Sequence, residues 1–142
     1  MSIVGTLDFD YPIVPWQYTD VQTELITVHK LVTDIFASGT NNKIGNLFID
    51  TQVQKQSNGN YTGQAIHTYV FPEGSFQCQY LKESMTPQGF FKPNSSTYGT
   101  VVSGSGNFLG SIGVIRIDVV DNIPIRKVHI VFSDKEVYPL PN

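Results

Sequence analysis

Residues 49–71 read IDTQVQKQSNGNYTGQAIHTYVF, and this stretch decides the fold. Asn58-Gly59 stands between two runs rich in β-branched and aromatic residues, Ile44 to Gln56 and Tyr61 to Phe71. An Asn-Gly step in that setting is the strongest short-range hairpin signal, because both residues tolerate the positive φ that a tight turn needs. The pair therefore predicts two antiparallel strands.

Working outward, the same alternation of strand and turn chemistry continues. Downstream, Phe71-Pro72-Glu73-Gly74 reads as a second turn, leading into a strand from Ser75 to Glu83. A longer loop follows from Met85 to Asn94, with Pro87, Gly89 and Pro93. Then come a short strand, Thr97 to Val102, and a long one, Phe108 to Val120. Ile123-Pro124 breaks the pattern before a last strand, Arg126 to Ser133. Upstream, Val21 to Thr33 is long enough for a helix, but its Val, Ile and Thr content favours a strand. Asp34 to Gly45 reads as a loop. Pro12 and Pro15 make Tyr11 to Tyr18 a crossing segment, since proline has no N–H to give a central strand. Ile3 to Phe9 forms a short first strand or arm.

The count is about eight strands joined mainly by short connections, which implies up-and-down antiparallel order. With no helix to cover it, such a sheet closes into a barrel or splits into a sandwich. Closure removes the exposed edges and leaves room for one small ligand.

Composition agrees. Charged residues make up only 15% of the 142 residues, against about 25% in an average domain. Gly, Ser, Thr, Asn and Gln fill the difference, as in strand-rich and turn-rich chains. The length suits one domain spanning 1–142, with 1–20 as arm and crossing segment. Net charge is −3, so no basic face is expected to neutralise a phosphate backbone, and nucleic acid is not an expected partner. No apolar run reaches membrane-spanning length, so no membrane partner is expected either. The start, MSIVGTLDFDYP, lacks the basic and apolar regions of a signal peptide, which gives a cytoplasmic expectation. The single cysteine, Cys78, cannot form an internal disulfide; it is either a reactive thiol or a small buried apolar residue.

Gly104 to Gly113 reads GSGNFLGSIG. The residues themselves suggest a tight glycine turn entering a strand, with Gly110 and Gly113 marking close backbone approach or a barrel corner. A phosphate-cradling loop would need a following helix, whereas this one feeds VIRIDVV. Preceded by Val101-Val102, the pattern resembles the most recognisable segment of allene oxide cyclases and dirigent proteins. The hairpin region Ile49 to Leu81 also resembles their central strands. The resemblance implies an all-β fold: one closed antiparallel β-barrel, allene oxide cyclase-like and calycin-like, that holds a hydrophobic small molecule. It also implies a homo-oligomer, dimer or trimer. In plant cyclases of this family the barrel closes a ring on a fatty-acid epoxide; dirigent proteins hold coupling partners and set stereochemistry. The cyclases carry a carboxylate on the strand that here reads LITVHKLVTD, which lacks the corresponding Glu.

Alternation assigns candidate residues. On Phe108 to Val120 the uncharged parity, Ser111, Ile115, Ile117 and Val119, is expected to face inward, leaving Arg116 and Asp118 outside. On Tyr61 to Phe71 one face carries His67, Tyr69 and Phe71, suited to an apolar ligand or to outer packing. Tyr80 joins the ligand-binding set. Glu24, His67 and Tyr69 are the candidate catalytic groups, with Glu24 reaching inward as a proton donor of raised pKa. The spacing of His29, His67 and His129 matches no zinc motif, so no metal site is expected, and no cofactor is called for.

Three functional readings follow. The leading one is a cofactor-independent cyclase or isomerase that folds a hydrophobic polyunsaturated molecule, polyketide-like or oxylipin-like, for ring closure. Orientation alone contributes up to roughly 7–11 kcal/mol to such reactions. The second is a non-catalytic or dirigent-type binding barrel. The third is a structural barrel filled by its own nine Phe and seven Tyr, which predicts no interior cavity of about 300 Å³ or more.

Overall fold

The computed structural model describes residues 3–120 and 123–133. Nine strands run in chain order: β1 Ile3–Pro12, β2 Tyr18–Val21, β3 Ile26–Ala37, β4 Lys43–Lys55, β5 Tyr61–Phe71, β6 Gly74–Met85, β7 Ser95–Gly104, β8 Ile112–Val119 and β9 Ile125–Ser133. Each of β3 to β9 pairs antiparallel with the next, and β9 pairs with β1. Two further pairs, Phe9 with Ala37 and Asp10 with Phe36, join β1 to β3 and close an eight-stranded barrel. β2 is the extra strand. The all-β closed barrel expected from the sequence is therefore present. No helix among the described residues is long and apolar enough to cross a membrane, which says nothing about strands.

The Asn-Gly signal produces its hairpin. Lys55 pairs with Tyr61, and the Gln56 N–H bonds to the Asn60 carbonyl at 2.7 Å. The loop between them holds three residues, Ser57 to Gly59, and Gly59 takes the left-handed φ of 85° that ends such a loop.

Period-2 burial is clean along the staves. β4 buries Leu47, Ile49, Thr51 and Val53; β5 buries Gly63, Ala65, His67, Tyr69 and Phe71. The aromatic face of β5 thus points into the barrel. On β8 the uncharged parity, Ile115, Ile117 and Val119, is buried, while Arg116 and Asp118 pair with each other at 3.2 Å outside.

Four expectations are corrected. Tyr18–Val21 is a strand of its own, and the next begins at Ile26, because the Thr23 hydroxyl accepts from the Leu25 and Ile26 N–H groups and turns the chain there. β3 then runs on to Ala37, through residues expected to form a loop. β8 starts at Ile112, not Phe108, since Gly106–Phe108 is a single 3₁₀ turn and Gly110 has a positive φ of 73°. Phe108 is consequently not an outward strand residue; it packs on Phe71, Phe76 and Phe132 at the barrel's end.

That turn gives the GSG motif its physical role. The Ser105 and Asn107 N–H groups donate to Ser75 and Glu73 carbonyls, and the Ser75 and Ser105 hydroxyls share a 2.7 Å hydrogen bond. At Gly106 φ is 59°, and a Cβ there would strike the Glu73 carbonyl. The glycine lets one turn lie flat on another and so seats Phe108 as a plug.

The seam beside β3 bears on function. β1 covers one end of β3's edge and β2 the other, with the proline segment crossing between. Part of the open edge is met by Gln17. Its side-chain amide accepts from the Val32 N–H and donates to the Val32 carbonyl, both at 3.0 Å, as a peptide group would.

Candidate ligand site at the mouth of the barrel

The interior divides into two ends. At one, Phe9, Phe71, Phe76, Phe108 and Phe132 meet edge to face and face to face, with centroid separations of 4.9 to 6.0 Å. This end is closed and apolar. At the other, beneath the seam, lie Tyr11, His67 and Arg126, from β1, β5 and β9. Tyr11 and Arg126 are directly paired across strands, so their side chains share the inner face. Above them the β6–β7 loop folds over the barrel. Trp16 is stacked between His29 and Phe90, both at 4.9 Å, and its indole N–H donates to the Gln88 carbonyl at 2.8 Å. Phe91 reaches in from the loop to pack on His67 and Tyr80.

Arg126 is the chemically conspicuous residue. It is 5% exposed, and no carboxylate among the described residues pairs with it. Its Nε has no hydrogen-bond partner. Its guanidinium lies over the rings of Phe90 at 5.6 Å and Phe91 at 6.0 Å. Cation–π contacts of this kind return only about 0.5–2 kcal/mol, less than burying a charge costs. The adjacent Tyr11 hydroxyl is also buried; the Arg126 guanidinium approaches it without forming a well-aligned hydrogen bond, and burial raises its pKa against the opposing charge and hydrogen-bonding pull of Arg126. An unsatisfied buried polar group costs about 1–3 kcal/mol, and a charged one more.

The surrounding titratable groups are held neutral. Burial, helped by the Arg126 charge, pushes the His67 imidazole down to about 3. Burial raises the phenols of Tyr69 and Tyr80 well above their ordinary value and raises the Cys78 thiol. His67 Nδ1 and the Tyr69 hydroxyl are 3.2 Å apart, and the hydroxyls of Tyr69 and Tyr80 are 3.4 Å apart. Cys78 is therefore an inert buried thiol.

The empty space beside His67, Thr51, Tyr11 and Arg126 is about 20 Å³, room for one water. Outside it, a groove of about 500 Å³ runs along Pro93, Val119, Ile123 and Pro124. Ile13, Phe90, Phe91 and Arg126 border both spaces and form the partition between them. Another surface groove, about 420 Å³, crosses the outer faces of β3 to β5 near Tyr18, Phe48 and Ile66, but no buried unpartnered polar atom lines it.

The residues expected from sequence fall into three groups. His67 lines the inner space and Val119 the outer groove. Tyr69 and Tyr80 stand behind His67, while Phe71, Ile115 and Ile117 fill the core. Glu24 and Ser111 are elsewhere. Glu24 is exposed in the turn between β2 and β3, so it does not reach inward, and Ser111 ends the turn before β8. Sequence reasoning missed Arg126, Tyr11 and Phe91. The signal for two of them was present: Arg126 shares parity with Val128 and Ile130, and Tyr11 with Phe9.

No family model and no curated protein matches the chain. Among solved structures, pyocyanin demethylase is similar, with a TM-score of 0.68 and 11% identity over 91% of this chain and 100% of that one. At this identity the likeness shows the fold, a closed eight-stranded barrel. Kinship with the allene oxide cyclase and dirigent group is not established by it.

Proposed function

We propose that the chain is a small-molecule-binding barrel, and that its mouth, between the inner space and the outer groove, is where the molecule is held and modified. One observation carries this reading: a buried Arg126 with an unpartnered Nε, beside an unpartnered Tyr11 hydroxyl. Two polar groups left unsatisfied in one place destabilise the free protein, and a ligand oxygen would satisfy both.

The chemistry such a pair favours is polarisation of a carbonyl. A guanidinium and a neutral phenol converging on one oxygen stabilise negative charge that develops there, as in isomerisation or ring closure through an enolate. His67, neutral above pH about 3, would act as a hydrogen-bonding partner and not as a cation. In this version of the cyclase or isomerase reading, Tyr11 and Arg126 take the role assigned to Glu24 from sequence. Pyocyanin demethylase, by its name, acts on a small molecule, which supports the broader reading only.

A second reading has its own support. The inner space beside His67 and Arg126 is only about 20 Å³, as in a barrel filled by its own side chains. Native mass spectrometry of protein from its source organism separates the two. A retained small molecule is expected on the wild-type chain. Repeated preparations with no adduct, and no gain in stability from extracts of the same cells, would leave the filled barrel as the better account.

A further inference from the structure

We infer that the molecule held at this mouth is an anion: a carboxylate whose charged end meets Arg126 and Tyr11, and whose apolar body lies in the outer groove. The inference rests on the small-molecule reading above and names the ligand's class.

The charge balance of the interior comes first. The groups that face Arg126 are Tyr11 on the paired strand, His67 across the lumen, and Phe90 and Phe91 from the loop, with Thr51 on the neighbouring wall. None supplies negative charge: the phenol is protonated and the imidazole neutral. The two buried tyrosines behind them, Tyr69 and Tyr80, and the Cys78 thiol also stay uncharged. The mouth thus carries one positive charge that nothing among the described residues balances. Away from bulk water the Coulomb interaction is several times stronger than in it, so a matching anion is favoured and a cation repelled. Arginine's planar fork also fits the two oxygens of a carboxylate.

The groove supplies the rest of the specification. Its walls are Pro93, Val119, Ile123 and Pro124, with Phe90 and Phe91 at the inner end. These surfaces suit an apolar body and offer a polar head only one charged anchor. The inner space is too small for a carboxylate while Phe91 occupies the partition, so Phe91 must swing aside for the head to seat.

Isothermal titration calorimetry with three probes of one shape tests this: 2-naphthoate, the neutral 2-naphthamide and the cationic 2-naphthylmethylammonium. Wild-type protein is expected to bind the carboxylate at least about tenfold more tightly than the amide, the ordinary worth of a charge-assisted hydrogen bond. The ammonium is expected not to bind. Arg126→Met should weaken the carboxylate by about tenfold or more and leave the amide within about twofold. Arg126→Lys, which keeps the charge without the fork, should fall between and covers the case in which the Met variant does not fold. Phe91→Ala should tighten the carboxylate. If amide and ammonium bind as well as carboxylate, or if both Arg126 variants retain wild-type affinity for it, the anion assignment is wrong while the binding site stands. If none of the three probes binds wild type or Phe91→Ala, the binding reading fails with it.

Discussion

The same three strands build both ends of the barrel interior and build them differently. β1 contributes Phe9 to the closed end and Tyr11 to the mouth. β5 contributes Phe71 and His67, and β9 Phe132 and Arg126. At the closed end every inward group is satisfied by packing alone, since rings in edge-to-face contact have no polar atom to place. At the mouth, two positions along β1, four along β5 and six along β9, a phenol, an imidazole and a guanidinium are buried, and the phenol hydroxyl and the guanidinium Nε lack hydrogen-bond partners. Proteins tolerate such groups where they serve binding or chemistry, and the cost is carried by packing elsewhere. The contrast is the physical ground of the proposed division, with stability at one end and ligand binding at the other.

Four measurements would break or sharpen that division. The largest effect is expected at the closed end. Phe76, buried and in contact with Tyr69, Phe71, Phe108 and Phe132, should cost about 3–5 kcal/mol on replacement by Ala, read by urea denaturation. A loss below 1 kcal/mol would mean that this end does not hold the fold.

Next is the pH dependence of the mouth. The unfolded chain protonates its histidines near 6.5, whereas the folded chain protonates His67 only near 3. Between these values the unfolded state binds more protons. Stability is therefore complete above about pH 6.5 and falls as pH drops toward 3. At 1.36 kcal/mol per unit, roughly 3 kcal/mol at most is lost between pH 6.5 and 4. His67→Phe should flatten this slope; an unchanged slope would place the titration on another group.

Smaller, and opposite in sign, is Arg126→Met. Removing an uncompensated buried charge should stabilise the ligand-free protein by about 1–2 kcal/mol, or a few degrees in thermal midpoint. A marked loss of stability would show that the guanidinium is a structural element and that the two ends do not differ as described. The smallest change is expected from Tyr11→Phe, which deletes an unpartnered hydroxyl and should shift stability by less than about 1 kcal/mol, upward if at all. A loss of 2 kcal/mol or more by denaturation would reveal a partner for that hydroxyl.

Much of this molecule was legible along the chain. Turn chemistry at Asn58-Gly59 and Pro72-Glu73, with strict alternation on β4, β5 and β8, located the strands and told which side chains of β5 and β8 share a face. Those are local properties, set by the pleat and by the φ values a residue tolerates. The misreadings had local causes too. Phe108 was given a strand's parity because nothing in GSGNFLGSIG announces a 3₁₀ turn, and the Thr23 turn that starts β3 late competes with a strong β-former run.

Tertiary closure decided the rest. Glu24 was a reasonable acid by composition, yet it stands outside because the chain turns at Thr23. Arg126 was set among apolar neighbours by alternation, but whether a carboxylate would meet it depended on which strands curl round to face β9. In the closed barrel those are β1 and β5, which bring a phenol and a neutral imidazole, and a loop that brings two phenyl rings. Period-2 patterning determines which way a side chain points; only the register of a closed sheet determines what it meets, because that distance is spanned through space and not along the chain.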